Sequence, residues 1–196
     1  MHRILLAIIF FMTPNLVAAG ESLYDAAVTG DTTAIVRLLD KGDPVDARAP
    51  DQATPLIAAA LGGQTEAAKL LIARGADVMA RNSGGFTALH AAAYAGSVPA
   101  AILLLDNKAA LEDAANKAGV TPMFVAAEMN HPEVVELLIA KGADVSRPES
   151  HGYLAITRAF WKGHMDMVSL LKRHGLTCQQ DKLTAREYEQ CLAIKG

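Results

Sequence analysis

The sequence predicts an all-α solenoid, a row of short helix-turn-helix units stacked side by side. Two observations carry that prediction. The first is a fixed step: Gly42 and Gly75 lie 33 residues apart, as do Gly142 and Gly175, and Leu23, Leu56 and Leu89 keep the same interval. Gly75 and Gly142 are 67 apart, two periods plus one inserted residue, after which Met123 and Ile156 resume the series. Gly30, Gly63, Gly96, Asn130 and Gly163 follow the same rhythm. A constant period of this length describes units that each need a neighbour to cover their apolar face, not one closed core. The second observation is compositional. The chain is 52% apolar but only 5% aromatic, and much of the apolar content is alanine, which suits close helix–helix contact rather than a bulky core.

Taken from the front, residues 1–19 read as a cleavable leader. His2 and Arg3 precede the apolar run "ILLAIIFFM", "TPN" breaks it, and small residues end "LVAA". The run is shorter than the roughly 20 apolar residues that span a bilayer. A buried N-terminal helix is the alternative. Gly20, not cysteine, would follow the cut, so no lipid anchor is expected. "ESLYDAAVTGD" comes next and is polar enough to close the front of an array.

The second unit shows the pattern best. "TPLIAAALGG" opens with a proline near a helix start, where its missing N–H costs nothing, and continues in small residues. "TEAAKLLIARGAD" has Thr65 as an expected cap, an apolar stripe and a glycine stop. "VMARNSGG" is turn-forming. The third unit departs from the pattern at Lys108, which stands where the others place the helix-ending glycine, and the inserted residue follows in "LEDAANKAGV". That junction is either tolerated loop drift or a local bend or finger shaped for a partner. At the back, "KLTAREYEQCLAIKG" carries a capping box, Thr184 and Glu187, opening a short helix from which Leu183, Tyr188, Leu192 and Ile194 are expected to cover the last unit. Cys178 and Cys191 are an even pair near one end. In an oxidising compartment they suit a disulfide that holds this helix down; free thiols, or metal ligation with His174, are the alternatives.

Chemistry is hard to find. No nucleophile elbow, phosphate loop, zinc-protease motif, dinucleotide fingerprint or EF-hand is present. His131, His151, His164 and His174 do not pair at i, i+4, and Asp25, Glu66, Glu133 and Glu136 are expected on helix surfaces without partners. No catalytic residue, metal or cofactor is assigned. A net charge of −3 gives no reason to expect nucleic acid as a partner.

"TPLIAAA", "TALHAAA" and "TPMFVAA", with "LLIARGADV" and "LLIAKGADV", resemble the ankyrin repeat family. The resemblance spans nearly all of the chain after the leader. It divides that stretch into five repeats, 20–48, 49–81, 82–113, 114–147 and 148–176, with 177–196 as a terminal cap. It implies that His90, at the signature histidine position, is a structural peg between the loops of adjacent repeats. It also implies a non-catalytic, monomeric module that binds another protein through a concave face. By register that face carries Arg81, Phe86, Tyr94, Glu128, Met129, Arg147, Tyr153, Trp161 and Lys162. Aromatics and arginine dominate binding hot spots, and most of this chain's few aromatics fall there. The leader and the cysteine pair point to the periplasm of a bacterium, or to secretion if the source is eukaryotic, with no membrane anchor after cleavage. Exported proteins similar to this one include inhibitors or immunity partners of exported enzymes, proteins supporting peroxide defence, and host-directed effectors. An enzyme on this scaffold is the remaining alternative.

Overall fold

The computed structural model describes residues 22–196, so the leader expected over residues 1–19 lies outside the described residues. Among these residues there are eleven helices and no strand. The first helix of each pair is α1 (Leu23–Thr29), α3 (Pro55–Leu61), α5 (Ala88–Ala95), α7 (Pro122–Glu128) or α9 (Ala155–Trp161). The second is α2 (Thr32–Asp40), α4 (Thr65–Ala73), α6 (Val98–Asp106), α8 (Pro132–Ala140) or α10 (Met165–Arg173), and α11 (Ala185–Ala193) closes the row. The first helices pack against one another in sequence, and α2, α4, α6 and α8 form a second layer behind them. No described helix is long and apolar enough to cross a membrane.

Alanine makes the inner layer possible. Ala58, Ala59 and Ala60 of α3 are fully buried, as are Ala92 and Ala93 of α5 and Ala126 and Ala127 of α7. With only a methyl on each facing side, neighbouring helices approach closely without voids. Leu56, Leu89, Met123 and Ile156, the residues of the 33-residue series, are buried beneath them. Helices of seven to nine residues are marginal alone, so this burial supplies most of their stability.

Helix starts follow local chemistry. Thr54 and Thr121 accept the N–H groups of Ile57 at 3.3 Å and Phe124 at 3.2 Å, with Pro55 and Pro122 in the first turns. The expectation for α4 is corrected: Gln64 is the cap residue and makes no side-chain capping bond, and Thr65 is already helical. The insertion between the third and fourth pairs forms no projecting finger. Asp113 and Asn116 are both buried, and Asn116 holds Val120 through its N–H at 3.1 Å and its carbonyl at 2.6 Å.

Lys108 takes the left-handed conformation its position demands, φ 69°, where Gly42, Gly75, Gly142 and Gly175 have φ of 91–98°. Nothing lies within 4 Å of a Cβ built on those glycines, so backbone strain alone separates lysine from glycine. Lys108→Gly is therefore expected to stabilise the protein by about 0.5–1 kcal/mol, a left-handed penalty removed minus an entropic loss. A rise in thermal midpoint checks this; an unchanged or lower midpoint refutes it.

The C-terminal segment completes the last pair, which lacks the usual caps. Leu154 stands where the second, third and fourth units place Thr54, Thr87 and Thr121, and Gln179 supplies what is missing. Its Oε1 accepts the Leu154 N–H and the Thr157 hydroxyl, both at 2.7 Å, and its Nε2 donates to the Gly152 carbonyl at 2.9 Å. Cys178 and Cys191 are disulfide-bonded and buried, with their Cα atoms 6.2 Å apart. Lys172 Nζ donates to the carbonyls of Cys191 and Ile194, each at 2.7 Å, closing the end of α11. The Thr184–Glu187 capping box forms as predicted. Leu183 is buried, and Tyr188 and Ile194 are partly buried against the core, but Leu192 is exposed and covers nothing.

Candidate functional site

One face of the first-helix layer carries a feature that no fold requirement explains. The last or next-to-last residues of α1, α3, α5, α7 and α9 share one register: Val28, Leu61, Tyr94, Glu128 and Trp161. Four of the five are large apolar side chains left in solvent, Val28 at 37%, Leu61 at 43%, Tyr94 at 54% and Trp161 at 41% exposure. Equivalent positions on stacked helices line up, so these residues form a ladder along the array. Beside it, between the first helices and the connecting loops, runs a cavity of about 500 Å³. Tyr24, Ile57, Leu61, Phe86, Tyr94 and Met129 line it, with Asp51, Glu128, Glu149 and Arg158 among its polar groups.

The nine residues expected on the binding face fall into three groups. Phe86, Tyr94, Glu128 and Met129 meet in the cavity. Phe86 is held edge-on to the His90 ring at 5.5 Å, so it is both a wall of the groove and part of the stack. Tyr153, Trp161 and Lys162 form a corner at the C-terminal end outside the cavity lining. The Tyr153 and Trp161 rings stand edge to face at 5.1 Å. Lys182 Nζ and the Arg158 guanidinium approach the Tyr153 ring centre at 5.3 and 5.9 Å.

Arg81 and Arg147 lie elsewhere, beside a shallow recess among the loops, and both are engaged in joining repeats. Arg81 Nη1 donates to the Gly85 carbonyl at 3.1 Å and pairs with Asp113 at 2.8 Å. Burial opposes ionisation of Asp113, but the Arg81 guanidinium and the Ala115 N–H outweigh it and hold the carboxyl below the usual range. Arg147 Nη1 donates to the Glu112 carbonyl at 3.0 Å.

Sequence reasoning missed Tyr24, Asp51, Ile57, Leu61, Asn82, Glu149 and Arg158 in the groove. Leu61 is legible in the sequence through the same step that links Tyr94 to Trp161, though it is neither an aromatic nor an arginine. The loop residues were not accessible, because how far a loop folds over the helices depends on neighbouring loops. Ser83 N–H, for instance, donates to the Asp51 carbonyl at 2.7 Å, one repeat away.

The histidines are structural where their partners are clear. His90 Nδ1 lies 3.3 Å from the Thr87 N–H and 2.9 Å from its hydroxyl, while Nε2 is 3.0 Å from the Val120 carbonyl in the next repeat. Those partners assign the proton to Nε2, which donates to Val120, and make Nδ1 the acceptor. Burial pushes the imidazole pKa down and keeps it neutral. His131 Nε2 bonds the Tyr94 carbonyl at 2.9 Å. His174 meets Glu136 at 2.9 Å, so Glu136 has a partner that the sequence did not suggest.

Glu149, Ser150 and His151 are clustered, but Ser150 Oγ and Glu149 Oε2 both face Nδ1 of His151, at 3.2 and 2.9 Å. A nucleophile and an orienting acid must occupy opposite ring nitrogens for proton relay, so this is a turn brace. No group of three or more His, Cys, Asp or Glu side chains among the described residues is placed to hold a metal ion.

Comparison with known proteins agrees with the geometry. A family model for ankyrin repeats in three copies matches residues 23–115, and one for ankyrin repeats in many copies matches residues 107–171. The chain is 36% identical over 61 residues to ankyrin repeat and SAM domain-containing protein 6 of Mus musculus, covering 31% of this chain and 7% of that protein. It is 42% identical over 73 residues to ankyrin repeat and KH domain-containing protein 1 of Homo sapiens, covering 36% of this chain and 3% of that protein. The matched stretch is thus under a tenth of the length of either relative. With stacked helix pairs, an inter-repeat histidine and family models that together reach from residue 23 to 171, the chain belongs to the ankyrin repeat family.

Proposed function

We propose that this protein is a non-catalytic binding module, exported to the periplasm, that docks its concave face onto another exported protein and blocks that protein's working surface. Ankyrin repeats are in general a non-catalytic scaffold for protein–protein interaction. The observation that carries the reading is the ladder of Leu61, Tyr94 and Trp161 beside the groove. Exposed apolar side chains in register along a stack offer area that a partner can bury, and aromatic anchors in such a patch supply most of the energy of an interface. Export is supported by the order of basic, apolar and small residues in 1–19, and by the disulfide, which persists in an oxidising compartment.

The test is a paired capture experiment. Residues 20–196, which contain the eleven described helices, are immobilised beside a Tyr94→Ala, Trp161→Ala version shown by circular dichroism to keep its helical content. A protein from a periplasmic extract retained by the first and lost from the second supports the reading. Equal retention by both moves the binding surface to the outer helices.

A further inference from the structure

The C-terminal segment reaches the aromatic corner of the concave face. Gln179 Nε2 donates to the Gly152 carbonyl at 2.9 Å and Lys182 Nζ to the His151 carbonyl at 3.3 Å, so both tie down the loop that carries Tyr153. Lys182 Nζ also lies 5.3 Å from the Tyr153 ring centre, and that ring meets Trp161 edge to face at 5.1 Å. A further contact comes from α11 itself. Thr184, through its hydroxyl and its N–H, and after it the Trp161 indole at the end of α9, hold the Glu187 carboxyl below its usual range. Tyr153 and Trp161 are therefore set in place by residues 179–187.

Burial does little to hold that segment on the array. Helices α3, α5 and α7 each bury six residues, whereas Cys191 alone is buried among the nine of α11. Tyr188 and Ile194 are partly buried, and Leu183 is the buried apolar side chain of the turn before α11. Polar ties come from Gln179 and from Lys172, whose Nζ donates to the Cys191 and Ile194 carbonyls. A nine-residue helix is marginal by itself, so α11 depends on the covalent bond for its place. That bond joins Cys191 to Cys178, the residue before Gln179.

We infer that the Cys178–Cys191 bond is a reversible redox control on the concave face. Closed, it braces the Tyr153–Trp161 corner through Gln179, Lys182 and α11; opened by a dithiol reductant, it frees the segment and leaves the corner unbraced. This rests on the concave face being the binding surface, since a partner that anchors on Trp161 is then held by the oxidised protein and released by the reduced one. The exchange balances with one dithiol. A thiolate of the reductant attacks one cysteine sulfur, forms a mixed disulfide and expels the other sulfur as a thiolate. The second thiol of the reductant then displaces the remaining cysteine. Two electrons and two protons pass to Cys178 and Cys191, and the reductant is left as a disulfide. The cysteines are 6% and 1% exposed, so attack proceeds through local opening of the segment, and the slight burial of α11 keeps the cost of that opening low.

Trp161 is the chain's single tryptophan, so its fluorescence reports on this corner alone. Oxidised residues 20–196 are treated with dithiothreitol at neutral pH without denaturant. The expected result is that both thiols become titratable and acrylamide quenching of Trp161 rises about twofold, while circular dichroism keeps most of the helical signal. Oxidised glutathione is expected to reverse the change. Cys178→Ser with Cys191→Ser is expected to show the reduced-state quenching with or without dithiothreitol, and Gln179→Ala, its disulfide intact, to move part of the way. A bond that opens only in denaturant, or one that opens with Trp161 quenching unchanged, overturns the inference. Loss of most of the helical signal also overturns it, because the array rather than the corner has then come apart. Capture from the periplasmic extract on the double-serine protein separates this from the reading it rests on. A protein lost with Tyr94→Ala, Trp161→Ala, yet held equally by the oxidised and double-serine proteins, overturns the redox control and leaves the concave face standing. A protein lost from both variants supports both. No retention, or retention indifferent to Tyr94 and Trp161, overturns both.

Discussion

Removing the Cys178–Cys191 bond, by reduction or as Cys178→Ala with Cys191→Ala, is expected to cost about 3 kcal/mol of unfolding free energy. That is the chain-entropy value for a loop of about this length, here a sequence separation of 13. The loss falls in one place. Stability in a stacked array is nearly a sum of units and nearest-neighbour contacts, so an unfastened α11 exposes the last pair and leaves the first three untouched. The network around Gln179 goes with it, because Gln179 is the residue after Cys178 and holds the otherwise uncapped Leu154 N–H and Thr157 hydroxyl. Amide hydrogen exchange on the oxidised and reduced protein checks this. Faster exchange in α9 to α11, with α1 to α6 unchanged, is the expected pattern; uniform acceleration or no change refutes it.

His90→Ala is expected to cost about 3 kcal/mol, from a lost helix-start bond, a lost bond to the next repeat and a cavity under Phe86. His90 also gives stability a pH dependence whose sign follows from its burial. The folded-state pKa lies below the ordinary 6.5, so as pH falls past 6.5 the unfolded chain takes up the proton first. Stability therefore falls from about pH 6.5 downward until the folded pKa is reached, by at most about 1.4 kcal/mol per pH unit for one group. Protonation within the fold would place a hydrogen on Nδ1, against the Thr87 N–H it now accepts. Asp113 and Glu149, whose pKa values are lowered, act in a separate window: the stability they contribute is present above the ordinary carboxylate pKa and is lost only as pH falls below it. Urea denaturation of the native protein and of His90→Gln at pH 7, 6 and 5 resolves the two. The advantage of the native protein over the variant is expected to shrink toward pH 5; a constant difference contradicts the assignment of His90 as a buried neutral group.

The sequence alone determined the helix pairs and their period, while the structural role of His90 came through the family resemblance of its motif. Those properties are local or periodic: a threonine three residues before an N–H, a proline in a first turn and an alanine face every 33 residues mean the same thing in each unit. It also placed Tyr94 and Trp161 on the exposed face, because register in a repeat carries position with it. Tertiary structure alone decided which expected residues are free to bind. Arg81 and Arg147 have the residue type of a hot spot, yet each turns into the neighbouring loop, a partnership set by residues 32 and 35 positions away in sequence. Leu192 has the right spacing for a cap and is exposed, because the disulfide and Lys172 fix the rotation of α11. The exposed apolar ladder likewise comes from residues as far apart as Val28 and Trp161. Their relation is a property of the stack, since only the stacking of five pairs turns positions in five separate units into one surface.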